Sequence, residues 1–217
     1  MWLFMSHHPN HSTSESASQL QRYYQLHARA YDATRWSFLF GRGTLLDCIS
    51  RISTPKRILE VGCGTGKNLK TLAHRFPSAE ITGIDLSDSM LAQARAKLAT
   101  RSLNIRLIQG AYDKPVHEPD AKFDLVLCSY ALSMFNPGWE RALDCANADL
   151  AAGGLIAVVD FHDSGFKLFQ KWMAVNYVRM EGHLRPKLQR DFAPIDDRVR
   201  RAYAGVWEYL LFIGKKV

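Results

Sequence analysis

The sequence predicts an α/β protein with a doubly wound, mostly parallel sheet. Short apolar runs alternate with stretches of helical spacing, which is typical of this class. A glycine-rich turn follows the first run in ILEVGCGTGKN (58–68). The chain ends in two strand-like segments that almost touch, 199–206 and 207–216. These observations together predict a Rossmann-like sheet of seven strands, with an antiparallel C-terminal hairpin strand at its edge.

The order of the elements follows from the same patterns. Two helices come first, at 19–32 and 37–52, and a further helix is expected at 166–180. Ser87 is a good N-cap for the helix after strand two, and Pro137 begins the helix between strands four and five. The five strands expected to be parallel are RILEVG (57–62), ITGID (81–85), IRLIQG (105–110), FDLVLCSY (123–130) and LIAVVDF (155–161).

Length and composition indicate one domain. A chain of 217 residues with 47% hydrophobic content can bury a sizeable core without disulfides or metal. The polar stretch within 1–18 predicts a disordered tail, so we expect a single domain over 19–217. No apolar stretch approaches the length of a membrane span, and MWLFM is too short for a signal peptide.

The cysteines and histidines do not form a metal-binding pattern. Cys48, Cys63, Cys128 and Cys145 contain no CxxC pair, and their apolar neighbours predict buried, reduced thiols. The histidines of the N-terminal tail, at positions 7, 8 and 11, are interpreted as part of a solvated segment. We therefore predict no metal and a cytoplasmic location.

The net charge of +7 is uneven along the chain. Residues 1–59 carry 7 basic and 3 acidic side chains, residues 60–150 carry 10 and 11, and residues 151–217 carry 11 and 7. Both flanks are basic around a nearly neutral middle. Such flanks favour an anionic partner: a lipid surface, a nucleic acid or an acidic substrate.

The glycine-rich turn could hold three kinds of ligand. A P-loop requires GxxxxGK[ST], but Gly66 and Lys67 are followed by Asn68. A dinucleotide fingerprint requires GxGxxG, but counting from Gly62 puts Lys67 where the third glycine belongs. The remaining candidate is S-adenosylmethionine (SAM), which carries a sulfonium and an ammonium and no phosphate.

Two acids near the turn agree with SAM. Glu60 precedes the glycines and attracts a cation, whereas it would repel a pyrophosphate. Gly62, Gly64 and Gly66 let the backbone pass close to the methionine part of the ligand. Asp85, at the end of strand two, is placed to accept both ribose hydroxyls, which would suit NAD equally well. A simple turn with an N-cap is the structural alternative.

From about Tyr23 onward, the sequence resembles the class I SAM-dependent methyltransferases. The resemblance rests on ExGxGxG at 60–66, the acid ending strand two and the terminal hairpin. In that family an Asp after strand three commonly holds adenine; here Ala111 stands there, so Tyr112 or Asp113 would serve instead. The other cofactor contacts that the resemblance implies are Cys63, Leu86, Met90 and the carbonyl of Cys128.

The catalytic group is harder to predict. Methyl transfer is an in-line displacement at an activated carbon, so alignment and exclusion of water matter most and a strong base is optional. An amine acceptor must lose a proton before it attacks. His162 in VVDFHD is the candidate for that role. A structural histidine is the alternative.

Two segments, 22–42 and 129–139, together with VVDFHD, resemble bacterial N-methyltransferases of betaine lipids and, more distantly, of phospholipids. The resemblance implies that 19–52 forms a helical lid with Tyr31 and Arg35 near the methionine carboxylate. It implies an aromatic acceptor site, which would attract an amine that becomes quaternary. That site comprises Tyr24, Trp36, Tyr130 and Phe135; ordinary helix packing is the alternative.

The basic flanks agree with peripheral contact to the inner face of an anionic membrane. In 166–180, Phe166, Phe169, Met173 and Tyr177 form a helical stripe, which predicts either an interfacial helix or one that covers the sheet. The competing acceptors are a soluble metabolite, a quinone-type ring and RNA. No nucleic acid is expected, because CSYALSMF stands where a (D/N)PPY base-methylation tetrad would be.

Overall fold

The computed structural model describes residues 39–99 and 103–217. Several predictions therefore lie outside the described residues. They are the tail at 1–18, the helix at 19–32, the start of the helix at 37–52, and the site residues Tyr24, Tyr31, Arg35 and Trp36.

The described chain forms one seven-stranded sheet flanked by helices. The strand order is β3-β2-β1-β4-β5-β7-β6. The strands are β1 (Arg57–Val61), β2 (Glu80–Asp85), β3 (Ile105–Gln109), β4 (Phe123–Ser129), β5 (Leu150–Phe161), β6 (Ala193–Ala202) and β7 (Trp207–Lys215). The helices are α1 (Arg42–Ile52), α2 (Lys67–Arg75), α3 (Asp88–Leu98), α4 (Trp139–Asp149), α5 (Lys167–Val175) and α6 (Leu184–Asp191).

The central strands are apolar on both faces because helices cover both sides of the sheet. Successive residues of β1 point to opposite faces: Ile58 belongs to one buried cluster and Leu59 to the other. Val126 and Leu127 of β4 divide in the same way. The pairs β1–β2, β2–β3, β1–β4 and β4–β5 are parallel. The predicted doubly wound architecture is confirmed.

The C-terminal hairpin differs from the prediction in one respect. The antiparallel strand β7 lies between β5 and β6, so it is second from the edge, and β6 forms the edge itself. The reason is polarity. Trp207, Leu210 and Phe212 of β7 are buried, whereas β6 carries charged side chains such as Arg198 and Arg200. A charged edge strand resists pairing with another sheet.

The helix predicted at 166–180 is shorter in the structure. It ends at Val175, and Tyr177 takes a positive φ of 62° that a continuing helix does not allow. Of its predicted stripe, Met173 is buried and Phe169 packs against the core, whereas Phe166 is exposed. The helix therefore covers the sheet through Phe169 and Met173. Helix α6, in a basic segment, was not predicted.

Three further features concern absences within the described ranges. Neither 39–99 nor 103–217 contains a helix with the length and hydropathy needed to cross a bilayer. In the same residues no three His, Cys, Asp or Glu side chains cluster as metal ligands. All four cysteines are free thiols; three are buried, and Cys48 is partly exposed.

Candidate active site

The carboxyl ends of β1, β2 and β4 meet in one crevice. β1 is the central strand of the three, with Val61 level with Ile84 of β2 and with Cys128 of β4. From β1 the chain proceeds outward to β2 and β3, and then returns to β4 on the other side of β1. Such a switch point is where doubly wound sheets bind ligands. The glycine-rich turn and both predicted acids lie at this point.

The three glycines of the turn have different roles. All have positive φ, at 67° for Gly62, 53° for Gly64 and 76° for Gly66. A Cβ on Gly62 would come within 2.6 Å of the Ala131 Cβ, and one on Gly66 within 3.1 Å of the Ala94 Cβ. Within 4 Å of the same position on Gly64, no described residue is found. Gly62 and Gly66 thus permit close packing, whereas Gly64 borders open space.

Asp85 connects the turn to the second strand. Its Oδ2 accepts a hydrogen bond from the Gly64 N–H at 2.7 Å, and its Oδ1 accepts one from the Ser87 N–H at 2.9 Å. Each carboxylate oxygen has two lone pairs, so one oxygen can accept more than one hydrogen bond. The sequence placed Asp85 at the crevice but gave no sign of its bond to Gly64.

Glu60 is a buried acid with one unmatched oxygen. Its Oε1 accepts a hydrogen bond from Asn68 Nδ2 at 2.8 Å, and its side chain is only 2% exposed. Oε2 has no hydrogen-bond partner in the described part of the chain. Burial raises the pKa of Glu60 from 4.5 to about 8, against the lowering effects of the Asn68 bond and of Arg42. A cation beside Oε2 would restore the carboxylate, so the site fits the ammonium of SAM.

This pKa gives a test with a defined sign. Below about pH 8 Glu60 of the unliganded protein holds a proton, and a bound cation would displace it. We expect SAM affinity to rise from pH 6 to about pH 8, by up to roughly tenfold per pH unit, with proton release on binding. Titration calorimetry in buffers of different ionisation enthalpy measures this release. Glu60→Gln should remove the pH dependence and exposed Glu118→Gln should not; an unchanged profile in Glu60→Gln would contradict the assignment.

The same shift predicts the stability of the unliganded protein. Glu60 keeps an ordinary pKa of 4.5 in the unfolded chain but about 8 in the folded chain, so folding takes up a proton between these values. Its contribution to the free energy of unfolding is therefore greatest below pH 4.5 and is lost as pH rises to about 8.

Arg42 is a site residue that the sequence did not reveal. It begins α1, and its Nε donates a hydrogen bond to Ser129 Oγ at 2.9 Å, at the carboxyl end of β4. Its guanidinium lies 5.8 Å from the centroid of the Tyr130 ring. No motif marks Arg42, because only the packing of α1 against the sheet brings it to the crevice. A guanidinium here is suited to a carboxylate such as that of methionine.

Tyr130 is used differently from the predicted acceptor contact. It is buried, its hydroxyl donates to the Phe40 carbonyl at 2.8 Å, and its ring packs edge-on against Phe161. With Arg42 beside the ring, Tyr130 packs within the protein and is not available as an aromatic wall. Phe135 is better placed: its Cζ lies 3.8 Å from where a Cβ on Gly62 would stand.

The predicted adenine contacts divide into two groups. Met90 is buried in the first turn of α3, where its N–H donates to Ser87 Oγ at 3.3 Å, and Leu86 is partly exposed at the end of β2. Ala111 is exposed. The Tyr112 ring, by contrast, is buried, and its hydroxyl donates to Asp149 Oδ2 at 2.6 Å. Of the two residues predicted to replace the missing Asp, Tyr112 directs its hydroxyl to Asp149, whereas Asp113 is exposed and its role stays a prediction.

Tyr112→Phe separates a role of the Tyr112 hydroxyl in stability from a role in adenine binding. Asp149 is fully buried and also accepts from the Val116 and His117 backbone N–H groups, so losing the Tyr112 hydroxyl weakens a buried network. We expect the free energy of unfolding to fall by about 1–3 kcal/mol. SAM affinity, measured by calorimetry, should change by less than about twofold, which corresponds to less than about 0.5 kcal/mol. The reason is that the Tyr112 hydroxyl points to Asp149. A large loss of affinity without loss of stability would restore the adenine role.

The two cysteines of the site contribute their backbone. Burial raises the pKa of the Cys63 and Cys128 thiols, so neither supplies a thiolate. The Cys63 N–H donates to the Ile84 carbonyl at 3.1 Å, which closes the turn onto β2. The side chain of Cys128 is buried in the core, which leaves its main chain at the end of β4 as the relevant part.

His162 follows β5 directly and has a partner that the sequence did not indicate. Its backbone N–H donates to the Glu208 carbonyl at 2.9 Å, and its ring faces the turn at Gly182. Burial lowers the pKa of His162, and it lowers that of nearby His183 to about 4. Both ring nitrogens of His183 are buried without a partner among the residues described. Both imidazoles are therefore neutral at pH 7, and the burial that lowers the pKa of His183 makes it a weak base.

Comparison with known proteins agrees with this geometry. Residues 58–154 match a family described as a methyltransferase domain. A demethylmenaquinone methyltransferase of Thermus thermophilus is 38% identical over 108 residues, which cover 49% of this chain and 48% of that protein. A malonyl-[acyl-carrier protein] O-methyltransferase of Geobacter sulfurreducens is 40% identical over 117 residues, covering 52% and 41%. The chain thus spans less than half the length of these relatives.

Solved structures show the fold. NodS, an N-methyltransferase of Bradyrhizobium japonicum crystallised with S-adenosylhomocysteine, has a TM-score of 0.73 at 17% identity, covering 91% of this chain and 98% of NodS. The 1,6-didemethyltoxoflavin-N1-methyltransferase of Burkholderia thailandensis has a TM-score of 0.72 at 18% identity, covering 98% and 93%. At such identities the agreement concerns the fold, which is a mostly parallel seven-stranded sheet with antiparallel C-terminal strands.

Proposed function

We propose that this chain, whose residues 58–154 match a methyltransferase-domain family, is a class I SAM-dependent enzyme that methylates an amine nitrogen. The amine would belong to a small molecule, and a lipid headgroup of the betaine-lipid or phospholipid type is the acceptor we favour. The observation that carries SAM dependence is the unmatched Oε2 of Glu60, buried beside a turn that opens at Gly64. This arrangement suits a cation without phosphate.

The residues of the crevice suggest how SAM would be held. Asp85 would accept hydrogen bonds from the ribose, and the backbone at Gly64 would lie against the methionine part. Glu60 would face the ammonium and Arg42 the carboxylate. SAM supplies a methyl group on a positively charged sulfur, and transfer leaves that sulfur neutral as the nitrogen takes the methyl. The protein's task is then to align the acceptor nitrogen with the methyl group and to exclude water.

The choice of an amine rests mainly on the resemblance of 22–42, 129–139 and VVDFHD to betaine-lipid N-methyltransferases. Phe135 beside Gly62 supports it, since an aromatic face attracts ammonium. A protonated amine must lose a proton before it attacks. His162 is the candidate base, since its imidazole is neutral at pH 7. His183 beside it is a weaker base, because burial lowers its pKa to about 4.

A second candidate keeps the enzyme but changes the acceptor. The relatives named above are a demethylmenaquinone methyltransferase and a malonyl-[acyl-carrier protein] O-methyltransferase, and a trans-aconitate 2-methyltransferase of Streptomyces avermitilis is 37% identical over 103 residues. These names favour a quinone-type ring or a soluble carboxylate. RNA is a weaker candidate, supported only by the net charge of +7.

One experiment separates these acceptors. The purified protein would be incubated with methyl-labelled SAM and with lipid, small-molecule and RNA fractions of a bacterial extract, using Asp85→Ala as the inactive control. We expect label in an amine of the lipid fraction, seen by mass spectrometry as mono-, di- and trimethylated headgroups. Label confined to the small-molecule or RNA fraction would reject the lipid acceptor, and no label in any fraction would reject the proposed activity.

A further inference from the structure

Helix α5 exposes an apolar strip on the side that faces away from the core. Leu168 is 82% exposed, Trp172 51% and Val175 79%, while Met173 on the opposite side is buried. The spacing of four and three residues puts the three exposed side chains on one face of the helix. Phe166, just before α5, is also exposed. We call Leu168, Trp172 and Val175 the α5 strip.

Two lysines of α5 lie beside the α5 strip. Lys167 and Lys171 are exposed and one turn apart along one flank of the strip. Residues 166–180 contain three basic side chains and no acid. The third, Arg179, pairs with Glu181 at 2.7 Å. The acid Asp163 accepts a hydrogen bond from Gln170, which lies on the face of α5 away from the strip. An apolar face bordered by lysines suits the surface of an anionic bilayer.

The α5 strip lies next to a groove on the surface. The groove has a volume of about 400 Å³, and α5 supplies Gln170, Lys171 and Ala174 to its wall. The opposite wall includes Asn136 and Arg179. The Arg179 N–H donates to the Ser133 carbonyl at 2.8 Å, and Ser133 belongs to the loop whose Ala131 packs on Gly62. One wall of the groove is thus hydrogen-bonded to the segment that packs on the glycine-rich turn.

We propose that the α5 strip docks the enzyme on an anionic lipid bilayer, with the mouth of the groove at the membrane surface. A second copy of the chain is a poorer occupant, because a two-fold contact through this face would bring Lys167 and Lys171 toward their own copies. Nucleic acid would engage the lysines but would leave Leu168 and Val175 exposed. A bilayer accepts both the apolar side chains and the charges.

Co-sedimentation with vesicles tests the docking in the absence of SAM. Wild-type protein should sediment with vesicles of equal parts phosphatidylglycerol and phosphatidylcholine, and much less with phosphatidylcholine alone. Leu168→Glu and Val175→Glu should each weaken binding by about tenfold or more, and Lys167→Ala by about fivefold. The matched control is Ile195→Glu, a 51% exposed apolar residue of β6, which should bind like wild type.

Three results would overturn the docking proposal. The first is that wild-type protein does not sediment with the vesicles at low salt. The second is that Leu168→Glu binds the vesicles as well as wild type does. The third is that light scattering shows a wild-type dimer and a Leu168→Glu monomer. SAM calorimetry and thermal unfolding of each variant confirm that the site and fold are intact.

The docking proposal rests on the proposed function in one respect: docking would bring the enzyme to an amine carried by a lipid. If wild type binds vesicles but methylates no lipid, the docking proposal is supported and the lipid acceptor is wrong. If wild type labels lipid and Leu168→Glu binds vesicles as well as wild type does, the lipid acceptor is supported and the docking proposal is wrong.

Discussion

Gly64→Ala is expected to reduce SAM affinity by about 100-fold or more. Because φ at Gly64 is 53°, a residue with a Cβ there destabilises the folded turn by roughly 1–2 kcal/mol, and a turn that moves to relieve this strain no longer presents its backbone to the ligand. The added methyl group would also enter the open space where we expect the methionine part of SAM to lie. Calorimetric titration of wild type and variant gives the ratio of dissociation constants.

Gly165→Ala is the matched control for this experiment. Gly165 likewise has no described atom within 4 Å of the added Cβ, and it does not have a positive φ. It should therefore keep wild-type affinity. If Gly64→Ala also binds SAM normally, the ligand does not lie against this turn and the site assignment is wrong.

Asp85→Ala should have an effect at least as large, through two losses. The carboxylate would no longer accept the ribose hydroxyls, and each hydrogen bond to a charged group is worth about 1.5–3 kcal/mol, so affinity should fall by roughly 100-fold to 1000-fold. The Gly64 and Ser87 N–H groups would also lose their acceptor. We therefore expect lower affinity by calorimetry together with a lower unfolding temperature.

Asp124→Ala is the control that separates the loss of ribose contacts from the loss of backbone hydrogen bonds. Asp124 also accepts two backbone N–H groups, from Lys56 at 2.8 Å and Arg57 at 3.0 Å, but it does so at the opposite end of the sheet. Its removal should lower stability without changing SAM affinity. Equal affinity losses in Asp85→Ala and Asp124→Ala would mean that the effect at Asp85 is one of folding alone.

Most of the sheet could be predicted from the sequence because buried parallel strands leave a strong local signal. β1, β2 and β4 were each found from an apolar run followed by a turn. The hairpin was also recognised, but the position of β7 inside the edge was not. That position depends on which strand is the more apolar over its full length, and the prediction assigned only residues 199–206 to the strand that the structure extends over Ala193–Ala202.

The site could be predicted only where function depends on local sequence. Glu60, Gly64 and Asp85 follow a spacing that places them at strand ends. Arg42 has no such spacing, because only the packing of α1 against the sheet brings it to the crevice. Tyr112 shows the reverse problem: its position after β3 is as predicted, but its ring turns into the core to reach Asp149. Which way a side chain points is decided by buried partners far along the chain.

The hydrogen bond between Gly64 and Asp85 has a consequence for fragments of the ligand. One peptide group and one carboxylate serve both halves of the crevice, so ordering either half also orders the other. Adenosine and free methionine should consequently bind with positive cooperativity, each tightening the other. Two rigid, unlinked subsites would instead bind these fragments independently.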